Sequence, residues 1–196
     1  MCHHRPVSSE VPGPGSAAPR GDVVQVKRLA TAAALRDRLG QLGCPLPVVD
    51  QVDPVGPLAQ PRQVDGLTLH NRFTILPMEG WDGTADGRPT DLVRRRWRRF
   101  GESGAALVWG GEAVAVVPEG RANPHQLHVG PQTAADLSEL RSTVVDAHRA
   151  ATAGTEPVVG LQLTHSGRWS RPEGDALPRT AYEHPLLDGR VGAVAA

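Results

Sequence analysis

The fold is decided by the stretch Gly160-Leu161-Gln162-Leu163-Thr164-His165-Ser166-Gly167-Arg168-Trp169. It continues an apolar run that begins at Pro157, and it changes abruptly from apolar to hydrogen-bonding side chains. A short continuous apolar run is typical of a strand buried in a parallel sheet. In α/β proteins, polar groups at the carboxyl ends of such strands carry the chemistry. The sequence therefore predicts a buried strand over residues 157–163 that ends in a functional site.

Two earlier stretches show the same change from an apolar run to a polar tip. Residues 72–78 lead into Glu79-Gly80-Trp81-Asp82-Gly83, and residues 105–109 lead into Gly110-Gly111-Glu112-Ala113. We predict strands over 72–78 and 105–113. Parallel strands present their carboxyl ends at one edge of the sheet, so we expect the three polar tips to lie together.

A predicted helix joins each pair of strands. The first begins at Thr90 and ends at Gly104, and the second begins after Thr133 and ends at Gly154, with the threonine hydroxyls as cap candidates. Each helix has one apolar face. These faces are formed by Val93, Trp97 and Phe100 in the first helix and by Leu137, Leu140, Val144, Ala147 and Ala151 in the second. The alternation of strands and helices predicts an α/β fold with a parallel sheet and right-handed crossovers.

The segment Arg94-Arg95-Arg96-Trp97-Arg98-Arg99 allows two interpretations. A run of arginines occurs in nucleic-acid-binding proteins, but it also forms the solvated outer face of a helix whose Trp97 packs inward. Across the chain, Lys and Arg number 21 and Asp and Glu number 21, so no net charge attracts nucleic acid or an anionic membrane. We favour the structural interpretation and expect no nucleic-acid partner.

The part of the chain before the first strand has three predicted sections. Residues 1–22 are rich in Pro, Gly and Ser and are predicted to form a disordered tail. Residues 23–60 are predicted to form a helix, capped by Thr31 and ended by Gly43, and then a proline-rich connector. Asp65-Gly66 follows between apolar residues, which is the signal for a tight β-hairpin.

Composition excludes several classes of protein. The two cysteines, Cys2 and Cys44, show neither metal-ligand nor disulfide spacing, so we predict no metal site. No apolar run approaches the ~20 residues of a membrane span, and the N-terminus lacks the apolar core of a signal peptide. These features predict a cytoplasmic protein with no membrane partner.

Motifs at the predicted strand ends resemble those of the old yellow enzyme family, the NADH:flavin oxidoreductases. They are Asn71-Arg72-Phe73, Leu76-Pro77-Met78, Gly111-Glu112-Ala113, Gly120-Arg121 and Gln162-Leu163-Thr164-His165-Ser166-Gly167-Arg168. The last motif is the most specific, and the resemblance covers roughly residues 60–188. Proteins of this family are FMN-dependent (β/α)8 TIM barrels. The resemblance implies that residues 61–196 form the N-terminal half of such a barrel domain, with its first three βα units.

The resemblance also implies roles for individual residues. The backbone at Pro77, Met78 and Glu79 would lie along the edge of the flavin ring, and Ala113 would let the backbone approach the pyrimidine side. The Gln162 amide has a donor and an acceptor, which suit the alternating carbonyl and N–H groups of that edge. The alternative for Gln162 is a loop amide that caps nearby backbone groups.

Three further side chains are candidates for the mouth of the substrate site. Trp81 packs near the flavin or anchors its loop. His165 lines the mouth or hydrogen-bonds within its loop. Arg168 neutralises a cofactor or substrate charge, or it forms a structural ion pair with Glu112 or Asp82. From the sequence these alternatives stay open.

Glu79 departs from the family pattern, in which Thr or Cys follows Pro-Met. A carboxylate beside a flavin, in a site of low dielectric constant, would make the cofactor harder to reduce. The cofactor class expected from the other motifs is unaffected.

The resemblance implies an FMN-dependent oxidoreductase that takes a hydride from NADH or NADPH and delivers it to an activated alkene or a related small-molecule acceptor. The family's catalytic residues and phosphate site belong to later strands, so no catalytic residue is assigned. A (β/α)8 barrel requires ~250 residues, and a three-stranded parallel sheet leaves an open edge, so we expect a truncated chain. The alternative is an inactive remnant or a partner-binding fragment that self-associates through this edge.

Overall fold

A computed structural model describes residues 23–44, 46–174, 179–188 and 194–195 of the 196-residue chain. The predicted disordered tail, residues 1–22, lies outside the described residues. The chain divides into two compact units, Met1–Asp53 and Pro54–Ala196.

Among its described residues, the first unit contains one α-helix. Helix α1 spans Ala32–Gln41 and follows a 3-10 turn at Val26–Arg28. The Thr31 hydroxyl oxygen accepts a hydrogen bond from the Ala34 N–H at 3.1 Å. Gly43 adopts a φ of +63° just after the helix, in the left-handed region that favours glycine. Both capping predictions are confirmed.

The second unit begins with the predicted hairpin. Strands β1 (Arg62–Val64) and β2 (Leu67–Leu69) pair in antiparallel fashion. Asp65 and Gly66 adopt φ values of +47° and +82°. A type I′ turn requires positive φ at both central residues, and the Asp-Gly signal is therefore confirmed.

Three parallel strands form the central sheet. Strands β3 (Thr74–Ile75), β4 (Leu107–Ala115) and β5 (Val158–Thr164) lie side by side in that order. Helix α2 (Asp91–Glu102) joins β3 to β4, and helix α3 (Ala134–Ala151) joins β4 to β5. The predicted alternation of elements and the parallel direction of the strands are confirmed.

Strand β3 is much shorter than the predicted strand over 72–78. The carbonyl oxygens of Phe73 and Met78 accept single hydrogen bonds from β4 at 3.4 and 3.0 Å, but the paired ladder covers only β3 itself. Pro77 has no N–H to donate to a ladder. In addition, β4 changes register along the same stretch. The ladder with β4 is therefore interrupted before the tip.

The core lies between the two helices and one face of the sheet. Trp97 of α2, Leu140 of α3 and Val108 of β4 are at most 1% exposed. The full cluster is Val93, Trp97, Val108, Val114, Leu127, Leu137, Leu140 and Val144. The predicted apolar faces are confirmed for the residues of both helices that belong to this cluster, whereas Ala151, at the end of α3, is exposed. Neighbouring strand residues point to opposite faces, and Trp109, on the other face, is 51% exposed.

The starts of α2 and α3 differ from the prediction. Thr90 and Thr133 occupy the N-cap positions, but neither side chain caps its helix. The Thr90 hydroxyl donates to the Asp82 carbonyl oxygen at 2.5 Å, and the Thr133 hydroxyl donates to the His128 carbonyl oxygen at 2.6 Å. Both hydroxyls therefore bind loop carbonyl oxygens before the helix, and neither accepts a hydrogen bond from an N–H of the first helical turn.

Short elements follow β5 within the described residues. A 3-10 turn at Gly167–Trp169 follows the strand, and β6 (Arg179–Thr180) pairs in parallel with β7 (Val194–Ala195). The sequence does not predict this pairing, because two-residue strands are too short to show a periodic pattern. Within the described ranges, no helix is long and apolar enough to span a membrane.

Candidate functional site

A bulge in β4 brings the strand tips together. Strand β4 pairs with β5 up to Trp109 and again from Ala113, and the register shifts between these residues. Gly110, within the bulge, has a φ of +59°. A Cβ at that position would lie 2.5 Å from the Gln162 nitrogen and 3.1 Å from the Pro77 Cβ. Glycine permits both the backbone conformation and this close approach.

Three of the predicted flavin contacts are neighbours at these tips. The Ala113 N–H donates to the Met78 carbonyl oxygen at 3.0 Å, and Ala113 lies opposite Gln162 in the register of β4 and β5. The structure therefore places Met78, Ala113 and Gln162 side by side on adjacent segments, as expected for tips that meet at one edge of a sheet.

Ala113 is buried, whereas the side chains of Met78 and Gln162 are open to solvent. Met78 is 76% exposed, and Gln162 is also exposed. The Gln162 amide makes no hydrogen bond to any residue that the structure describes. The alternative in which this amide caps nearby backbone groups is not observed there. Its donor and its acceptor are thus available to a ligand.

Glu79 and Trp81 lie on the loop after β3. Glu79 is exposed, and its Oε1 accepts a hydrogen bond from Asn123 Nδ2 at 3.4 Å. Trp81 is 68% exposed. Together with Met78, both residues line a cleft of about 620 Å³ beside α2. Trp81 therefore borders an open cavity and does not anchor its loop in the core.

Glu112 joins the tip of β4 to α2. Its carboxylate is buried, and its Oε2 accepts hydrogen bonds from Arg96 Nη2 at 2.7 Å and from Trp97 Nε1 at 3.3 Å. The other oxygen, Oε1, has no partner among the described residues. Arg96 also binds Asp82 through both terminal guanidinium nitrogens. One arginine thus links the loop after β3 to the tip of β4.

Burial and neighbouring charges have opposite effects on the pKa values of Glu112 and Arg96. Burial raises the pKa of Glu112, and the hydrogen bond and charge of Arg96 offset only part of that effect. Burial would lower the pKa of Arg96, but its hydrogen bonds to Asp82 and Glu112 leave that pKa raised. The two pKa values respond differently because Arg96 has two acidic neighbours, which raise its pKa, whereas the Asp82 charge adds to the effect of burial on the pKa of Glu112. Burial therefore prevails at Glu112.

Gln126 is a buried residue of the site that the sequence does not single out. Its Nε2 donates to the Ala113 carbonyl oxygen at 2.8 Å and to the Thr164 hydroxyl at 3.3 Å. Its Oε1 accepts a hydrogen bond from the Ala122 N–H at 2.7 Å. Gln126 therefore holds the ends of β4 and β5 together. It lies in an irregular loop, where no periodicity distinguishes a buried amide from a solvated one.

His165 makes a contact within its own loop. Its Nδ1 accepts a hydrogen bond from the Gly167 N–H at 3.0 Å, and the ring is exposed. The loop hydrogen bond is therefore observed, and a place at the substrate mouth stays a prediction.

Arg168 forms an ion pair with Asp188. The predicted alternative, an ion pair with Glu112 or Asp82, is wrong because Arg96 binds both of those carboxylates. The hydrogen bond to Asp188 raises the pKa of Arg168. The positive charge of Arg168 is thus already paired with a carboxylate of this chain. Neutralisation of a cofactor or substrate charge by Arg168 stays a prediction.

A histidine pair lies outside the strand tips. His148, on α3, is fully buried, and its Nε2 lies 3.2 Å from His70 Nε2. Burial, with the nearby His70 ring, lowers the pKa of His148. In the part of the chain that the structure describes, no group of three or more His, Cys, Asp or Glu side chains could hold a metal ion.

Known proteins match this chain over most of its length. No protein-family model matches it. The NADPH dehydrogenase of Halalkalibacterium halodurans is 32% identical over 129 residues, which is 63% of this chain and 35% of that protein. The NADPH dehydrogenase of Geobacillus thermodenitrificans is 32% identical over 130 residues, 63% of this chain and 34% of that protein. The chain thus spans about a third of the length of these relatives.

A solved structure shares the fold of the matched part. Old Yellow Enzyme from Pichia sp. AKU4542 superimposes with a TM-score of 0.53 and 17% identity, covering 71% of this chain and 37% of that one. At this identity the likeness concerns the fold alone. With the relatives named above, it confirms the resemblance that the motifs indicate.

Proposed function

We propose that this chain, a relative of the old yellow enzyme family, forms one wall of the cofactor site of an FMN-dependent oxidoreductase of the ene-reductase type. Its curated relatives are named NADPH dehydrogenases, and that activity is carried to this chain as part of the proposal. When bound, FMN would supply hydride chemistry between NADPH or NADH and an activated alkene or related acceptor.

We also propose that the second unit supplies the first three strands of a (β/α)8 barrel and the two helices, α2 and α3, that join them. Strands β3, β4 and β5 advance in one direction, and α2 and α3 pack on the same face of the sheet. In a doubly wound sheet the strand order reverses and helices cover both faces, whereas in a barrel all helices lie outside. The face that carries Trp109 would then be the barrel interior.

The contiguity of Met78, Ala113 and Gln162 is the observation that carries the proposal. The edge of a flavin ring presents alternating carbonyl and N–H groups, and an unpartnered amide can both donate to it and accept from it. The Met78 carbonyl oxygen, although it binds Ala113, keeps a second lone pair. Because Gly110 has no side chain, these groups can approach one another closely.

The residues of this chain would orient the cofactor and border the substrate entrance. Pro77 and Glu79 flank the Met78 backbone, and Trp81 lines the neighbouring cleft. The Glu79 carboxylate would place negative charge near the ring and so disfavour its reduction. No residue of this wall is assigned a catalytic role.

A chimeric enzyme tests the proposal. Residues 60–174 of this chain replace the corresponding segment of the Halalkalibacterium halodurans NADPH dehydrogenase. We expect the purified chimera to retain FMN, seen by its visible absorbance, and to oxidise NADPH when an activated alkene is added. Gln162→Ala should raise the Kd for FMN about tenfold, since it removes two hydrogen-bonding groups from the ring edge.

Gln132→Ala is the matched control, because it removes an exposed amide from a loop away from the tips. It should leave the Kd for FMN unchanged. A folded chimera that binds no FMN would overturn the proposed function. Equal effects of the two substitutions would remove Gln162 from the cofactor site.

A further inference from the structure

Arg121 is a buried arginine whose side chain is surrounded by main-chain carbonyl oxygens. It is 7% exposed. Its Nη1 donates to the carbonyl oxygens of Ala85 at 2.7 Å and Pro124 at 2.9 Å. Its Nε donates to the Pro118 carbonyl oxygen at 3.1 Å, and its Nη2 donates to that of Pro172 at 3.4 Å. Every side-chain hydrogen bond of Arg121 to a described residue therefore goes to the backbone.

These acceptors belong to three different loops. Ala85 lies on the loop after β3, Pro118 and Pro124 lie on the loop after β4, and Pro172 follows β5. The backbone of Arg121 adds a further link, since its carbonyl oxygen accepts from the Arg171 N–H at 2.8 Å. One residue thus touches the segments that follow all three strands of the sheet.

Gly120 allows the third loop to come this close. Its carbonyl oxygen accepts a hydrogen bond from the Ser166 N–H at 2.8 Å. A Cβ on Gly120 would lie 2.7 Å from Cδ2 of the His165 ring. The loop after β5 therefore packs directly on the backbone that carries Arg121.

The guanidinium group suits this position better than another cation. It is planar and presents five N–H donors in fixed directions, whereas a lysine ammonium presents three donors from a single nitrogen. Hydrogen bonds from a charged donor are roughly twice as strong as neutral ones. Burial lowers the pKa of Arg121, and the carbonyl acceptors replace the water that a buried cation loses.

We propose that Arg121 is a positioning residue that sets the relative placement of the loops after β3, β4 and β5. Those loops continue directly from the tips with Met78, Ala113 and Gln162. The link to a cofactor rests on the proposed function, whereas the connection of the three loops stands on the hydrogen bonds alone.

Hydrogen–deuterium exchange on the full 196-residue chain tests the connection. The variants are Arg121→Lys, which keeps the charge, and Arg121→Met, which removes it. In both, residues 79–88, 118–126 and 166–174 should exchange about tenfold faster, while α3 keeps its protection. Arg95→Lys, on the exposed face of α2, is the matched control and should change none of these segments.

Three results would overturn the proposal at this step. Faster exchange confined to residues 118–126 would limit Arg121 to its own loop. Loss of protection throughout α3 and β5 would mean that Arg121 supports the whole fold and not the placement of the loops. Wild-type exchange in Arg121→Lys would show that charge alone is sufficient, which also contradicts the role given to the guanidinium fork.

The chimera described above tests the consequence for the cofactor. At a temperature where circular dichroism shows each protein fully folded, Arg121→Lys should raise the Kd for FMN about tenfold and change the shape of the bound flavin spectrum. Arg95→Lys should change neither. An unaltered Kd and spectrum in Arg121→Lys would overturn the positioning role. A chimera that binds no FMN before any substitution would contradict the proposed function, and the exchange experiment would still decide whether Arg121 connects the loops.

Discussion

Trp97 connects the core to the candidate site through a single side chain. It is 1% exposed within the cluster of α2, α3 and the sheet. Its Nε1 also donates to the buried Glu112 carboxylate at the tip of β4. A change at this position therefore removes core packing and one hydrogen bond of a buried charge.

We expect Trp97→Ala to lower the free energy of unfolding by ~3–5 kcal/mol, because it leaves a cavity in the core. The double substitution Arg95→Gln and Arg99→Gln, at exposed positions of the same helix, should change it by less than ~0.5 kcal/mol. Urea unfolding measures both through the transition midpoint, provided that the m-value is unchanged. A larger loss in the arginine variant would mean that α2 faces the sheet with its other side.

His148 should make the stability of the chain depend on pH. Its lowered pKa means that the unfolded chain binds more protons than the folded chain below the ordinary histidine pKa of about 6.5. The stability contributed by neutral His148 is therefore fully present above that value and is lost as the pH falls through the folded pKa. The nearby His70 ring contributes to the lowered pKa of His148.

We expect His148→Gln to reduce the decline in the free energy of unfolding between roughly pH 8 and pH 5. Glutamine places a neutral amide where Nε2 meets His70 and Thr155. His165→Gln, at an exposed position, should keep the wild-type slope. Urea unfolding at several pH values measures the slopes, and equal slopes in all three proteins would contradict the role of His148.

Helix α2 uses its arginines in two ways. Arg95, Arg98 and Arg99 are exposed, which agrees with the predicted solvated face. Arg96 instead binds Asp82 and Glu112, and Arg94 binds Glu139 at 2.7 Å. The helix therefore carries both a solvated face and a set of ion pairs to neighbouring segments.

The bulge of β4 is the element that shapes the strand tips. It shifts the register with β5 between Trp109 and Ala113. Ala113 consequently faces Gln162 and binds Met78. Bulges redirect side chains next to functional sites. This bulge places Met78, Ala113 and Gln162 next to one another on neighbouring segments.

Gly110→Ala is expected to strain this bulge. The added Cβ would meet the Gln162 nitrogen, so β5 must shift. Gly167→Ala is a matched control, because Gly167 has a similar φ of +53° and nothing within 4 Å of the added carbon. Gly110→Ala should therefore lose roughly 1–3 kcal/mol more unfolding free energy than the control. Equal losses in thermal or urea unfolding would show that the close approach has no energetic consequence.

At the scale of the whole molecule, we expect the 196-residue chain not to bind FMN tightly on its own. Its tips supply two or three neutral hydrogen bonds, each with a net contribution of ~0.5–1.5 kcal/mol. Micromolar binding requires about 8 kcal/mol. In barrels of this class the phosphate site lies after strands seven and eight. Association also costs several kcal/mol in lost freedom of motion.

Flavin fluorescence during titration of the purified chain measures this binding, with Gln162→Ala as the control. We expect no saturation in the micromolar range for either protein. Saturable micromolar binding that the control loses would show that this chain forms a complete flavin site by itself.

Patterns formed by neighbouring residues were sufficient to predict most elements. Thr31 and Gly43 delimit α1, Asp65-Gly66 forms the hairpin turn, and Trp97 lies on the buried face of α2. Each of these features depends on backbone preferences or on a spacing of a few residues. Such constraints are present in the chain before it folds, so the sequence alone expresses them.

The partners of polar side chains could not be predicted in the same way. Thr90 binds a loop oxygen eight residues away in sequence instead of capping its helix. Arg168 binds Asp188, and Arg96 binds Glu112 and Asp82, the two acids that one sequence-based alternative paired with Arg168. The sequence offers several possible acidic partners for each arginine. The ion pair that forms is the one whose two side chains are brought within hydrogen-bonding distance by the packing of the elements that carry them.

By itself, the sequence determined the order of strands and helices, the polar ends of the strands and the resemblance that connects them to a flavin. Only the tertiary structure decided that β3 is short, that β4 bulges at Gly110, that Gln126 binds the ends of β4 and β5 and that Arg121 binds the loops beyond them. Alternating apolar and polar runs follow from where each residue must lie relative to water. A register shift or a buried hydrogen bond depends on the facing segment, which comes from a distant part of the chain.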